Sequence, residues 1–189
     1  MKIIILEGIA TSGKTTIKND IIKYFNKHNY TYSIVEEDET LMSILDNVDE
    51  NIAKNHLKKI INVYFTKEKD YLIFDRLYFT HIHRTNSNIT HFKEIEDLII
   101  NKKGKVIFLK INEIEIEKRI FNAMKHRSEK WNKYVLSKGN KEEIIQYYIN
   151  QQKNLLNYLE KSNVNSMIID TTKMNFGEIT SEIIKSQLH

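Results

Sequence analysis

Gly8-Ile-Ala-Thr-Ser-Gly-Lys-Thr-Thr16 decides how the rest of this chain is read. It fits the phosphate-loop template of Gly, four residues, Gly, Lys, Ser/Thr. Before it runs Lys2-Ile-Ile-Ile-Leu-Glu7, apolar and β-branched as a buried strand requires. After it Ile17, Ile21 and Phe25 recur at helical spacing. Strand, glycine loop and helix in this order form an anion cradle. Gly8 and Gly13 let the backbone turn where a Cβ would collide. The loop amides and the positive end of the helix then point at one place. In such a cradle Ile9, Ala10, Thr11, Ser12 and Thr16 supply main-chain contacts. Lys14 supplies a charge to the β- and γ-phosphates, and Thr15 offers a hydroxyl to Mg²⁺. The ligand this pattern predicts is ATP with Mg²⁺.

Four more apolar runs read as strands: Tyr32–Glu36, Tyr71–Asp75, Lys105–Ile111 and Ser166–Asp170. Helical periodicities lie between them. One runs over Leu57, Ile60, Ile61, Tyr64 and Phe65, and others over Phe92, Ile95, Ile99 and over Ile116, Ile120, Met124. A long one takes in Ile145, Ile149, Leu155, Leu156 and Leu159, and a last one Ile179, Ile183 and Leu188. Strands alternating with helices predict an α/β fold with a parallel sheet and right-handed crossovers. No linker, fixed-period repeat or low-complexity tract interrupts the pattern, so residues 1–189 are expected to form one domain. The polar stretch from Lys125 to Lys141, KHRSEKWNKYVLSKGNK, is predicted to be a mobile loop or a helical lid.

The 189 residues carry a net charge of +4, which suits a polyanionic small ligand and does not by itself imply a polymeric nucleic acid. There are no cysteines, which excludes disulfides and thiolate metal sites. The N-terminal apolar run is short for a signal peptide and leads straight into the glycine loop. No run reaches the ~20 residues of a membrane span. A cytoplasmic location and no membrane partner are therefore expected. The absence of proline and the abundance of Lys, Asn and Ile look like genome bias.

Asp75 and Arg76 end the Tyr71 strand, at the edge where open α/β sheets bind ligands. There Asp75 can hold Mg²⁺ and Arg76 can reach a phosphate or an acceptor hydroxyl. The alternative use of Asp75 is to cap the next helix. In the Glu36-Glu37-Asp38-Glu39 run, Glu36 or Glu37 can take a proton from an attacking hydroxyl, or the run is simply solvated. If the acceptor is already a phosphate, no base is needed. Arg127 is the better phosphate ligand of the basic segment, since a guanidinium fork matches phosphate oxygens. Arg119 faces the nucleotide base or forms a helix salt bridge. Tyr78 and Phe79 belong to an acceptor wall or to the core. His81, His83 and His91 lack a carboxylate spaced to complete a zinc site.

The glycine loop on the first strand, Asp-Arg at the end of the third and a basic segment after the fourth resemble the P-loop nucleoside and nucleotide kinase group. Thymidylate kinases and deoxynucleoside kinases are the nearest members. The resemblance implies a three-layer fold with strand order 2-3-1-4-5 and a lid over ATP. It implies transfer of the γ-phosphoryl to a nucleoside or nucleoside monophosphate, and is compatible with a homodimer. Lys14 and Thr15 take the family's phosphate and Mg²⁺ roles, and Asp75 and Arg76 its acid–arginine pair. The chain departs from it in reading Asp-Arg-Leu where deoxynucleoside kinases have Glu-Arg-Ser. Two other readings stand beside this one: a P-loop kinase for a sugar or antibiotic, and an NTP-binding regulatory ATPase. The Asn-Lys-x-Asp element of a GTPase is absent, since Asn101-Lys102-Lys103-Gly104 has no aspartate.

Overall fold

A computed structural model describes residues 1–41, 44 and 49–188, the last two by backbone only. Five strands form one parallel sheet: β1 (Lys2–Glu7), β2 (Tyr32–Val35), β3 (Tyr71–Asp75), β4 (Lys105–Lys110) and β5 (Asn165–Asp170). Their order is β2-β3-β1-β4-β5. All neighbours run parallel. This is the three-layer topology expected from the sequence.

The helices follow from the strands' two-sided burial. Alternate residues of a strand face opposite sides. Ile3 and Ile5 of β1, with Leu72 and Phe74 of β3 and Val106 and Phe108 of β4, face one core. Ile4 and Leu6, with Ile73, Ile107 and Leu109, face the other. Each such side chain contributes about 2 kcal/mol relative to exposure. Helices α1 (Lys14–Lys27) and α9 (Phe176–Leu188) cover the second face. The first is covered by α3 (Glu50–Phe65), α4 (Tyr78–Thr85), α5 (Lys93–Asn101), α6 (Glu113–Met124) and α8 (Lys141–Lys161). Two more helices, α2 (Glu37–Thr40) and α7 (Glu129–Leu136), lie in the connections after β2 and α6.

Two elements, α8 and the end of β2, differ from the sequence reading. The buried stripe of α8 is Ile144, Tyr148, Gln151, Gln152, Leu155 and Leu159, while Ile145, Ile149 and Leu156 are half-buried. The cause is polar. The Gln152 amide donates to the Ile111 carbonyl at 2.8 Å and accepts from the Ile111 N–H at 2.9 Å, satisfying backbone just beyond β4. The polar segment, expected as a loop or a helix, contains a capped helix, α7, whose N-cap Ser128 hydroxyl accepts from Trp131 N–H at 3.3 Å. Glu36 lies outside β2 and opens α2, its N–H donating to Glu39 Oε1 at 3.2 Å. The side chain of Leu188, expected on the last apolar stripe, lies outside the described residues. Among the described residues no helix is long and apolar enough to cross a membrane.

Candidate active site

The sheet order brings the carboxyl ends of β1 and β3 side by side, with Leu6 opposite Asp75. The glycine loop leaves β1 there. Gly8 has φ +139°, and a Cβ on it would lie 2.5 Å from the Leu109 carbonyl oxygen. Gly13 has φ +98°, and a Cβ on it would lie 2.3 Å from the Phe176 ring. Thr11 also takes a positive φ, 65°. Gly13 is the N-cap of α1, so no side chain caps that helix, and its first turn carries no acid. Its free amides therefore point into a cavity of about 770 Å³ lined by Ala10 to Thr16. Gly8 and Ile9 are buried behind that wall. This is the open helix start that favours an anion.

Lys14 is buried and donates from Nζ to the Gly8 and Ile9 carbonyls at 2.9 and 3.0 Å. Burial, aided by the nearby Arg76 charge, pulls its pKa down to about 7, against the pull of Glu37, Asp75 and Glu7. Arg76 sits at φ 69°, a conformation rare for a non-glycine residue. Its N–H donates to the Leu6 carbonyl at 3.0 Å, and Nη1 donates to Thr80 Oγ1 at 3.1 Å. Its Nε lies 3.0 Å from Glu37 Oε1. Burial opposes its charge, but Glu37, Glu7 and Asp75 outweigh it and hold its pKa above the usual value. Burial likewise works to raise the Glu37 pKa, and Arg76 and Lys14 hold it below the carboxylate range.

Of the acids singled out in the sequence, Glu37 faces the cavity, and Asp38 lines it too. Asp75 and Glu36 stand behind, tied together by Lys18. The Lys18 ammonium lies 2.9 Å from Asp75 Oδ2 and also pairs with Glu36. Burial disfavours its charge, but the two carboxylates raise its pKa overall. Asp75 does not cap α4, whose N-cap is Leu77 without a side-chain bond. Asp75 Oδ1 is buried with no hydrogen-bond partner. That unsatisfied carboxylate oxygen and the Thr15 hydroxyl, which is on the cavity wall, are hard-oxygen donors of the kind Mg²⁺ takes.

Arg119 spends its guanidinium on main chain. It donates to Thr11 O at 3.1 Å, Thr172 O at 3.1 Å and, closely, Thr171 O. It thereby ties the glycine loop to the segment after β5, while still lining the cavity. Arg127 stacks on Trp131, with the guanidinium carbon 4.6 Å from the ring centroid, and both line the same cavity. Tyr78 and Phe79 are fully buried in the core. The three histidines go separate ways: His81 Nε2 donates to Thr40 O at 2.8 Å, His91 pairs with Glu50, and His83 lies 3.5 Å from Asn154.

Two site residues escape the sequence reading. Glu7 is fully buried, accepting from Leu77 N–H at 2.9 Å and Thr80 Oγ1 at 3.2 Å. Burial raises its pKa against the pull of Arg76. The signal was a lone acid ending an otherwise apolar strand. Lys18 was signalled by its place one helical turn after Lys14, between Ile17 and Ile21.

A second cavity of about 440 Å³ abuts the first, and Ala10, Glu37, Arg76 and Trp131 line both.

Solved structures share this fold. YorR from Bacillus subtilis, in complex with phosphorylated GDP, superposes with a TM-score of 0.70 at 18% identity, covering 96% of this chain and 93% of that one. Shikimate kinase from Bacteroides thetaiotaomicron gives 0.61 at 12% identity, covering 97% and 96%. Deoxyadenosine kinase from M. mycoides, with dCMP and dCDP bound, gives 0.54 at 18% identity, covering 98% of each. The fold is thus that of P-loop kinases. No curated protein matches the chain by sequence. The family model described as chromatin associated protein KTI12 matches residues 1–133, the stretch holding the glycine loop, Lys18, Arg76, Arg119 and Arg127, and the chain belongs to the KTI12 family.

Proposed function

We propose that this chain is an ATP-dependent kinase that transfers the γ-phosphoryl group to a small acceptor, a nucleoside or nucleoside monophosphate. The observation that carries this reading is the pair of cavities meeting at Ala10, Glu37, Arg76 and Trp131. A nucleotide-binding switch needs only the first. A transferase needs a second chamber whose occupant meets the terminal phosphate.

In this reading the loop amides and Lys14 hold the triphosphate, and binding energy goes into orientation. Thr15 and Asp75 would hold Mg²⁺, which when bound neutralises charge on the phosphate oxygens. Lys18 fixes Asp75 by its second oxygen. Glu37 and Glu7 hold Arg76 charged where the cavities join, the place for a guanidinium that steadies the phosphoryl group in flight. Arg127, on α7's approach, is the cation that can close from the other side. The domain spans the chain, and the cytoplasm is its place of action.

The KTI12 description supports a second reading, an NTP-binding regulatory ATPase acting at chromatin. One assay separates them. The protein is incubated with ATP, Mg²⁺ and panels of nucleosides, nucleoside monophosphates and sugars, and ADP is followed. ADP release that depends on an acceptor supports the kinase. Equal release without any acceptor supports the regulatory ATPase.

A further inference from the structure

We infer that the second cavity is an acceptor subsite for a phosphomonoester of a polar planar ring, with Tyr148 and Gln151 of α8 reading the ring. This rests on the kinase reading and specifies its acceptor.

The hydroxyl of Tyr148 is the starting point. Tyr148 is 2% exposed, lines the 440 Å³ cavity, and its hydroxyl has no hydrogen-bond partner. A buried hydroxyl without a partner is costly, on the order of 1–3 kcal/mol, so something that enters the cavity is expected to pair with it. Gln151 follows three residues later on the same helix face, is 7% exposed, and lines the same cavity. A hydroxyl and a carboxamide one turn apart offer donors and acceptors to the edge of a heterocycle. Trp131 and Tyr134 add aromatic wall beside them.

Charge selects the other end of the ligand. Arg76, Arg84 and Lys130 line the cavity, and Glu37 is the one carboxylate among the described lining residues. Glu37 already pairs with Arg76 at 3.0 Å. With Glu37 set against Arg76, Lys130 leaves the wall electropositive, which an anionic phosphate suits and a neutral nucleoside does not. The chemistry agrees. A phosphate oxygen of the acceptor attacks the γ-phosphorus, the bond from γ-phosphorus to the β,γ-bridging oxygen breaks, and ADP leaves with that electron pair. The acceptor becomes a diphosphate. An ionised phosphate has no proton to surrender, so no base is needed, and Glu37 is free to serve Arg76.

The test is calorimetric binding of nucleoside 5′-monophosphates and the matching nucleosides to the full chain. The best monophosphate should bind at least ~10-fold tighter than its nucleoside, the scale of one or two charge-assisted contacts. Tyr148→Phe, which keeps the ring and removes only the unpartnered hydroxyl, should weaken that monophosphate about 5- to 10-fold while leaving the melting temperature and the affinity for a nonhydrolysable ATP analogue unchanged. Gln151→Ala should weaken it similarly and narrow the spread of affinities between bases. Lys130→Ala should weaken the monophosphate and spare the nucleoside. Nucleosides binding as tightly as monophosphates, no monophosphate binding at millimolar concentration, or Tyr148→Phe binding like the parent would each overturn the subsite. Monophosphate binding without acceptor-dependent ADP would keep the subsite and sink the kinase. Phosphorylation of a neutral acceptor alone would do the reverse.

Discussion

Replacing Lys18 by Met removes a buried ammonium and keeps the side chain's length. Lys18 and Asp75 have side chains 8% and 7% exposed, and their charges stand 2.9 Å apart. Breaking a buried pair by deleting one partner costs roughly 3–5 kcal/mol, because the remaining charge is left without compensation. Glu36, whose side chain is 45% exposed, can turn to water and adds little to that loss. Asp75 cannot, since its other oxygen is already buried without a partner. Lys18→Met should therefore destabilise the protein by about 3 kcal/mol, a fall of roughly 6–12 °C in Tm for a domain of this size. Lys18→Met with Asp75→Asn removes the stranded charge, so the double variant should be more stable than Lys18→Met alone. Urea denaturation of the parent, both single variants and the double variant closes the cycle. A Lys18→Met protein within about 0.5 kcal/mol of the parent, the range of ordinary surface substitutions, would refute the reasoning, as would strictly additive effects.

Lys14, with its pKa near 7 in the free protein, must take up a proton when a triphosphate binds. Between pH 7.5 and 9 nucleotide affinity should fall by up to ~10-fold per unit, with proton uptake seen by calorimetry in buffers of different ionisation heat, and Lys14→Met should lose both affinity and pH dependence. Gly13→Ala should lower Tm and weaken nucleotide binding, since its Cβ would overlap the Phe176 ring and φ +98° is strained for alanine; Gly13→Ala with Phe176→Ala should recover part of the stability. Burial, with Arg84 and His56 nearby, lowers the His81 pKa from 6.5 to about 4 against the pull of the Thr40 carbonyl. The unfolded chain thus binds the proton first, so stability present above pH 6.5 should be lost as pH falls through 4, by about 3 kcal/mol. Acid titration of Tm in the parent and in His81→Gln reads this, the variant showing the smaller loss.

The sheet is legible in the sequence because strands buried on both faces appear as unbroken apolar runs, as in Ile3–Leu6 and Leu72–Phe74. The cradle is legible because its geometry needs glycine at Gly8 and Gly13 and a lysine at the helix start. The register of α8 is not, because Gln152 sits on the buried face to satisfy the backbone of Ile111, and hydrophobic periodicity does not register a polar core residue. The Lys18 bridge joins residues 18 and 57 positions apart, so local spacing cannot announce it. The fate of Arg119 is hidden for the same reason, since its acceptors are carbonyls more than fifty residues away. Tyr148 reads as an ordinary aromatic until the fold sets the residue beside the second cavity with a buried hydroxyl that has no hydrogen-bond partner.

The central claim is that two neighbouring chambers hold donor and acceptor on either side of Arg76. A crystal grown with a nonhydrolysable ATP analogue, Mg²⁺ and the best-bound monophosphate tests it most directly. The account predicts the triphosphate on the amides of Ala10–Thr16 beside Lys14, and the monophosphate between Arg76 and Tyr148 with its phosphate facing the γ-phosphate. A vacant glycine loop with the nucleotide bound elsewhere, or an acceptor seated away from Arg76, would contradict it.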